Sequence, residues 1–256
     1  MTIALFSDVH ANLPALEAVL AEIDRRRPDM IFCLGDLVGY APWPNEVVES
    51  IRARGIPTIA GNYDEGVGRK SDDCGCAYKT DEDRARGARS IAYTNAIVTA
   101  DNRAYLRTLP RHMRIELGTG RDRVTILLVH GSPRRVNEYL FEDRPDASYL
   151  RMMDDSDADV MIFGHTHKPF TRTIEDERDG RTCHRRIVNT GSVGKPKDGN
   201  PAACLTLLSI DGDGASTADV VDVTFVRVPY EVERAATAIE SSVLPMEFAD
   251  MLRKAY

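Results

Sequence analysis

The sequence predicts an α/β protein built on a largely parallel sheet, and three observations carry that prediction. Through about residue 64, short apolar runs alternate with segments of helical spacing, the pattern of βαβ units. From about 64 to 110 the chain is polar and charge-rich, then turns helical. From 111 onward it returns to runs enriched in β-branched residues.

Residues 2–6, "TIALF", form the first apolar run, and "LPALEAVLAEI" follows with Leu13, Leu16, Leu20 and Ile23 on one helical face. Asn12 suits the N-cap and Pro14 the first turn. "MIFCLGD" reads as the next strand and "NEVVESIRAR" as the next helix, ending at Gly55. "IPTIAGNYD" reads as a third strand. Helices are expected over "TDEDRARGARSIAYTNAIV" and "TADNRAYLRTL", with Thr80 and Thr99 as N-caps. Strands are expected in "VTILLVHGSP", "VMIFGHTH", "RRIVNTGSVG", "AACLTLLSI" and "VVDVTFVRV", then a final amphipathic helix near "EVERAATAIESSV". Without an internal repeat or low-complexity linker, one domain spanning 1–256 with a helical insertion at about 64–110 is the simplest organisation.

A net charge of −7 argues against a general grip on nucleic acid, which needs a basic surface. Gathered carboxylates suit a cation instead. No apolar run approaches the roughly 20 residues of a membrane span. The N-terminus lacks a basic leader, and the odd set of five cysteines shows no paired framework; both fit a cytoplasmic setting. The C-x-C of Cys74 and Cys76 has no second cysteine pair to complete a zinc site.

The expected strands end on a common theme. Asp8 and His10 follow the first, Asp36 the second, Asn62-Tyr63-Asp64 the third, His130 follows "ILLV", and His165 and His167 follow "VMIF". In open α/β sheets ligands bind at the carboxyl ends of the strands. An isolated histidine or aspartate in a turn is ordinary, but its recurrence at five equivalent places is not. Asp8, His10, Asp36, Asn62, His130, His165 and His167 offer oxygen and imidazole nitrogen without thiolate. That set suits manganese, iron, zinc or nickel, manganese and iron foremost. It is too large for one such ion and about right for two that share a carboxylate.

These motifs, D-x-H, G-D, G-N-Y-D, H-G and G-H-T-H in order, resemble the calcineurin-like metallophosphoesterases, and "NTGSVGKP" resembles the loop behind their sites. The "SDVHAN" opening is similar to the smaller prokaryotic phosphodiesterase branch, with its YfcE-like proteins and diadenosine tetraphosphate hydrolases. The resemblance implies a four-layer αββα sandwich of two mixed sheets flanked by helices. It implies a first metal on Asp8, His10 and His167, a second on Asn62, His130 and His165, and Asp36 bridging them. The activity implied is phosphoester hydrolysis by a hydroxide bridging two ions roughly 3.5–4 Å apart, most simply of a nucleotide-type phosphodiester. A dinucleoside polyphosphate hydrolase, a monoesterase, a nuclease and a non-enzymatic scaffold are the alternatives. Tyr63 stands where many members have a histidine that assists the phosphoryl group or the leaving group; a phenol donates a hydrogen bond but is a weaker acid. Asp64 suits the orienting of a neighbour. Arg69, Lys70, Arg84, Arg86 and Arg89 of the insertion form either a solvated face or a contact for an anionic nucleotide, and the whole insertion is expected to cap the substrate pocket.

Overall fold

The computed structural model of the chain describes residues 1–118, 123–178, 180–210 and 221–256. Strand β1 (Thr2–Phe6) leads through helix α1 (Leu13–Arg26) to β2 (Met30–Cys33) and α2 (Pro44–Ala53). Three helices follow, α3 (Asn62–Gly68), α4 (Asp81–Ile97) and α5 (Ala100–Leu106). Then come β3 (His112–Leu117), β4 (Val124–Val129), α6 (Asp146–Asp155), β5 (Val160–Phe163), β6 (Phe170–Arg178) and β7 (Arg181–Asn189). The chain closes with β8 (Ala203–Ile210), β9 (Val221–Val228), α7 (Val232–Glu240) and α8 (Glu247–Lys254). Val220, the first residue of the strand expected at 220–228, lies outside the described residues.

The strands form two sheets, ordered β2-β1-β8-β9 and β3-β4-β5-β7-β6. Pairing is parallel between β1 and β2 and along β4-β5-β7, and antiparallel elsewhere. Alternation along each strand explains the layering. Ile3 and Leu5 of β1 join Ile126 and Leu128 of β4 and Ile162 of β5 in the core between the sheets. Ala4 and Phe6 face the other way, onto Leu16, Val19 and Val47 of α1 and α2. On the far side Leu127, Val129, Met161 and Phe163 pack against Tyr149, Met152 and Met153 of α6. The result is helix, sheet, sheet, helix, the sandwich that the motifs imply. The parallel pairing expected from the alternation holds for β1-β2 and β4-β5-β7, and the strand-rich second half, which a single parallel sheet would not explain, supplies the second sheet. Strands β8 and β9 lie antiparallel beside β1, and the apolar faces of the two sheets cover each other.

The segment at 56–64 is also corrected. It makes one bridge to β2, between Cys33 and Thr58, and then leaves. Pro57 has no amide hydrogen to extend a ladder, and the Ala60 amide turns instead to the Pro110 carbonyl. Asn62 is therefore the first residue of a helix, where the sequence reading puts the end of a strand. Helices α6 and α8 and strands β3 and β6 add elements that the sequence reading does not name. The caps follow their residue types: Asn12, Thr80 and Thr99 each accept a hydrogen bond from an amide three residues on, at 3.2, 3.1 and 3.2 Å.

Candidate metal centre

Each donor stands in a loop that the sheets bring to one end of the sandwich. Asp8 and His10 follow β1, Asp36 follows β2, His130 follows β4, and His165 and His167 follow β5. Two groups of donor atoms result, Asp8, His10 and His167 in one, and Asp36, His130 and His165 in the other, all buried. They adjoin. The Asp36 Oδ2 lies 3.6 Å from His10 Nε2 and 3.3 Å from His130 Nε2, and so faces a member of each group. The Asp8 Oδ1 lies 3.3 Å from His167 Nε2 and 3.9 Å from His130 Nε2.

Hydrogen bonds fix which atom of each side chain points inward. His10 donates through Nδ1 to the Val38 carbonyl, His130 to that of Leu34, and His167 to that of Lys195, at 3.1, 2.7 and 2.6 Å. Their Nε2 atoms are left facing the centre. The Asp8 Oδ2 accepts from the Ser7 hydroxyl and the His165 amide, and Asp36 Oδ1 accepts from the Tyr63 amide. The Asn62 Nδ2 donates to the Cys74 carbonyl at 2.8 Å, which aims its Oδ1 away. Two glycines permit these approaches. A Cβ on Gly61 would overlap Asp36, and one on Gly164 would overlap Ser7 and Asp8.

The fit to a cation rests on atoms that the protein itself leaves unsatisfied. Asp8 Oδ1, Asn62 Oδ1, His130 Nε2 and His165 Nε2 are buried without a hydrogen-bond partner among the described residues. Such atoms are costly to bury, and native folds rarely keep them. The His10 and His167 Nε2 atoms face each other at 3.2 Å. With both Nδ1 atoms donating to carbonyls, that contact sets two lone pairs together. Ligands about 90° apart on one ion, at about 2.1 Å each, sit about 3.0 Å from one another. The donor set therefore fits metal ions.

Without metal the charges are strongly perturbed. Burial raises Asp8 to about 6, although the neighbouring His130 opposes the rise. Burial works the same way on Asp36, but His130, His10 and His165 around it hold it below its usual range. His130, despite its burial, is pushed up to about 10 by Asp36 and Asp8. Burial lowers His10 to about 4 and His165 to about 3, so these imidazoles stay neutral and free to bind.

The remaining sequence candidates divide. Asp64 accepts from the Leu37 and Gly61 amides at 2.9 and 3.0 Å and ties the loops carrying Asp36 and Asn62 together. Tyr63 is buried, edge-on to the His10 ring at 5.4 Å, with its hydroxyl 3.3 Å from that of Tyr78. Burial pushes its phenol well above the ordinary value. Cys74 and Cys76 belong to no metal-binding group among the described residues; Cys76 Sγ instead lies 3.4 Å from Asn62 Nδ2. Arg69 pairs with Glu65 and Arg89 donates to the Val243 carbonyl, whereas Arg86 lines a cavity beside the centre. Sequence reasoning missed Tyr40 and Tyr139, whose rings lie 4.8 and 4.1 Å from those of His10 and His165. No motif contains them. It also missed Lys195, although it lies in the quoted "GSVGKP".

A two-sheet sandwich with clustered N/O donors at the strand ends defines a metal-binding hydrolase fold. The chain belongs to the calcineurin-like phosphoesterase superfamily, whose domain model matches residues 1–213. It is thus a hydrolase of phosphoric esters in a family that uses metal ions. An uncharacterised protein of Methanocaldococcus jannaschii, MJ0912, is 33% identical over 255 residues, covering 95% of this chain and 93% of its own length. A metallophosphoesterase crystal structure from Sphaerobacter thermophilus is 30% identical, with a TM-score of 0.72 and coverage of 100% of this chain and 99% of that one. The hypothetical protein PH1004 of Pyrococcus horikoshii OT3 shares the fold at 22% identity and a TM-score of 0.77, over 100% of this chain and 98% of its own. Among the described residues no helix is long and apolar enough to cross a membrane.

Proposed function

We propose that the chain is a dinuclear metal-dependent phosphodiesterase acting on a small, nucleotide-type phosphoester. The observation that carries this reading is the set of unsatisfied buried atoms on Asp8, His130 and His165, which belong to two adjoining donor groups; Asn62 Oδ1 is buried and unsatisfied as well. Asp8, His10 and His167 would hold one ion, and Asn62, His130 and His165 the other, with Asp36 shared. Bound there, two divalent ions supply the Lewis acidity that activates water and offsets phosphoryl charge. Manganese and iron remain the favoured identities for this N/O set.

The protein's own residues supply position, and Ser7, Ser132 and Ser192 each have a structural hydrogen bond to make. The Ser7 hydroxyl is engaged by Asp8 and Thr190, Ser192 donates to the Asp8 carbonyl, and Ser132 donates to Glu138. The attacking group in this reading is water. Tyr63, raised further above neutrality by burial, is a poor proton donor to a leaving group. Unactivated alkyl monoesters need such a donor, and general acid help is typically worth about 10²–10⁴ in rate. Diesters and polyphosphate linkages with stable leaving groups need it least.

The test is metal content by emission spectrometry, together with kcat/KM for a matched aryl diester and alkyl monoester. Two ions per chain and a diester preference are expected, and Tyr63→His should move the ratio toward the monoester by roughly tenfold or more. One tightly bound ion, or faster monoester turnover by the unsubstituted chain, would overturn the reading.

A further inference from the structure

We infer that the cavity beside the metal centre is a subsite for a second phosphate group of the substrate, gripped by Lys195 and Lys197; the inference rests on the phosphoesterase reading above. The cavity holds about 440 Å³ and lies between the insertion, the loop at 195–197 and helix α8. Its inner wall is Tyr40, which packs edge-on against His10 at 4.8 Å. Lys195 belongs to both places. Its carbonyl accepts from His167, and its side chain lines the cavity.

The electrostatics of this cavity are unbalanced. Lys195 is 5% exposed and Lys197 half-buried, and among the described residues neither ammonium has a carboxylate within ion-pair distance. The face of the Tyr40 ring lies 4.8 Å from the Lys195 Nζ, and Asp83, the carboxylate side chain of the cavity lining, is paired with Arg86. Arg86 in the same wall shows the contrast, since it pairs with Asp83 at 2.9 Å and with Glu247 at 3.4 Å. A buried cation without a partner is costly, and two that face one cavity repel each other as well. An anion between them relieves both costs. Phosphate, close to dianionic and rich in acceptor oxygens, matches two ammonium groups better than a single carboxylate does. The position next to His10 and His167 suits a phosphate near the scissile one, as in a nucleoside polyphosphate, and not a separate effector.

The test uses the metal-loaded full chain and two ligands that differ by one phosphate, adenosine monophosphate and α,β-methylene adenosine diphosphate. Calorimetric Kd values should favour the diphosphate analogue by about tenfold or more, a difference of about 1.4 kcal/mol. In Lys195→Met and Lys197→Met that advantage should shrink toward unity, while the monophosphate Kd changes less than twofold. Should Lys195→Met fail to fold, the half-buried Lys197→Met carries the same comparison. Equal affinity for the two ligands in the unsubstituted chain, or an advantage that survives both substitutions, would overturn the subsite. Absence of aryl diester turnover with both ions bound would instead overturn the phosphodiesterase reading, and the binding measurement would still stand.

Discussion

Asp8, His10, Asp36, His165 and His167 all hold φ between 49° and 65°, a region that side chains with a Cβ avoid, whereas helices α4 and α5 of the insertion contain no such residue. Each left-handed position costs about 1–2 kcal/mol. Such strain persists only where its surroundings over-determine it. Around the centre they do: the Asp8 amide bonds the Gly35 carbonyl, the His10 amide bonds that of Asp36, and the Gly164 amide bonds that of His130. The insertion is held by other means. Its α4 buries only a few small or apolar side chains, such as Ser90 and Ile91, and its outer face carries exposed pairs such as Arg84–Asp81. The strand-end loops therefore have a geometry imposed by two sheets, and the insertion keeps one compatible with local propensity. Donor placement belongs to the first region, and the second contributes one side of the cavity beside it, next to Tyr40, Lys195 and α8.

The sharpest way to break this contrast is Asp36→Ala, which removes the carboxylate facing both groups. Loss of an outer hydrogen-bond partner typically costs about 10–100-fold in metal affinity. Loss of a shared ligand should exceed that, and kcat should collapse with it. Metal titration and turnover measured together check this, and near-normal rates would show that Asp36 is not shared. Chelation comes next. Ions at about 1,000 times their Kd stabilise a fold by about 4 kcal/mol, so their removal should lower Tm by roughly 10 °C at this chain length. Scanning calorimetry with and without chelator reads the shift, and an unchanged Tm would deny that the unsatisfied donors await ions.

Smaller effects separate support from contact. Asp64→Ala leaves the Leu37 and Gly61 amides unpaired, and should destabilise by about 1–3 kcal/mol while weakening metal binding. A denaturant midpoint and a metal Kd test both halves of that expectation. A change in stability with metal affinity intact would confine Asp64 to structure. At the far end of the scale, Arg84→Ala on the insertion's outer face should change stability by less than about 0.5 kcal/mol and turnover hardly at all. A large loss there would mean that the insertion's surface governs the centre after all.

Much of this was legible in the chain. The helices at 13–26 and 81–97 follow from apolar spacing and from the Asn12 and Thr80 caps, both local properties. The types of the donors and their order were open to reading because each follows a short apolar run. What resisted reading was non-local. Asn62 opens a helix because Pro57 and the Pro110 carbonyl end the pairing with β2, a competition between distant partners. Lys195 and Tyr40 carry no pattern, and they matter only because the fold sets them against His167 and His10.

The sequence by itself determined the periodicities of strand and helix and the choice of carboxylate, amide and imidazole at the chain's turns. Those are properties of neighbours a few residues apart, and local sterics and donor chemistry suffice for them. Tertiary structure decided which donors come together. His167 reaches Asp8 across 159 positions because β1 and β5 belong to different sheets that close on one apolar core, Leu5 and Ile162 among its members. It also decided that Tyr63 is buried, and that two lysines near one another in the chain face the same cavity with no carboxylate at ion-pair distance among the described residues. Contacts of that kind are fixed by the packing of faces, and no local spacing encodes them.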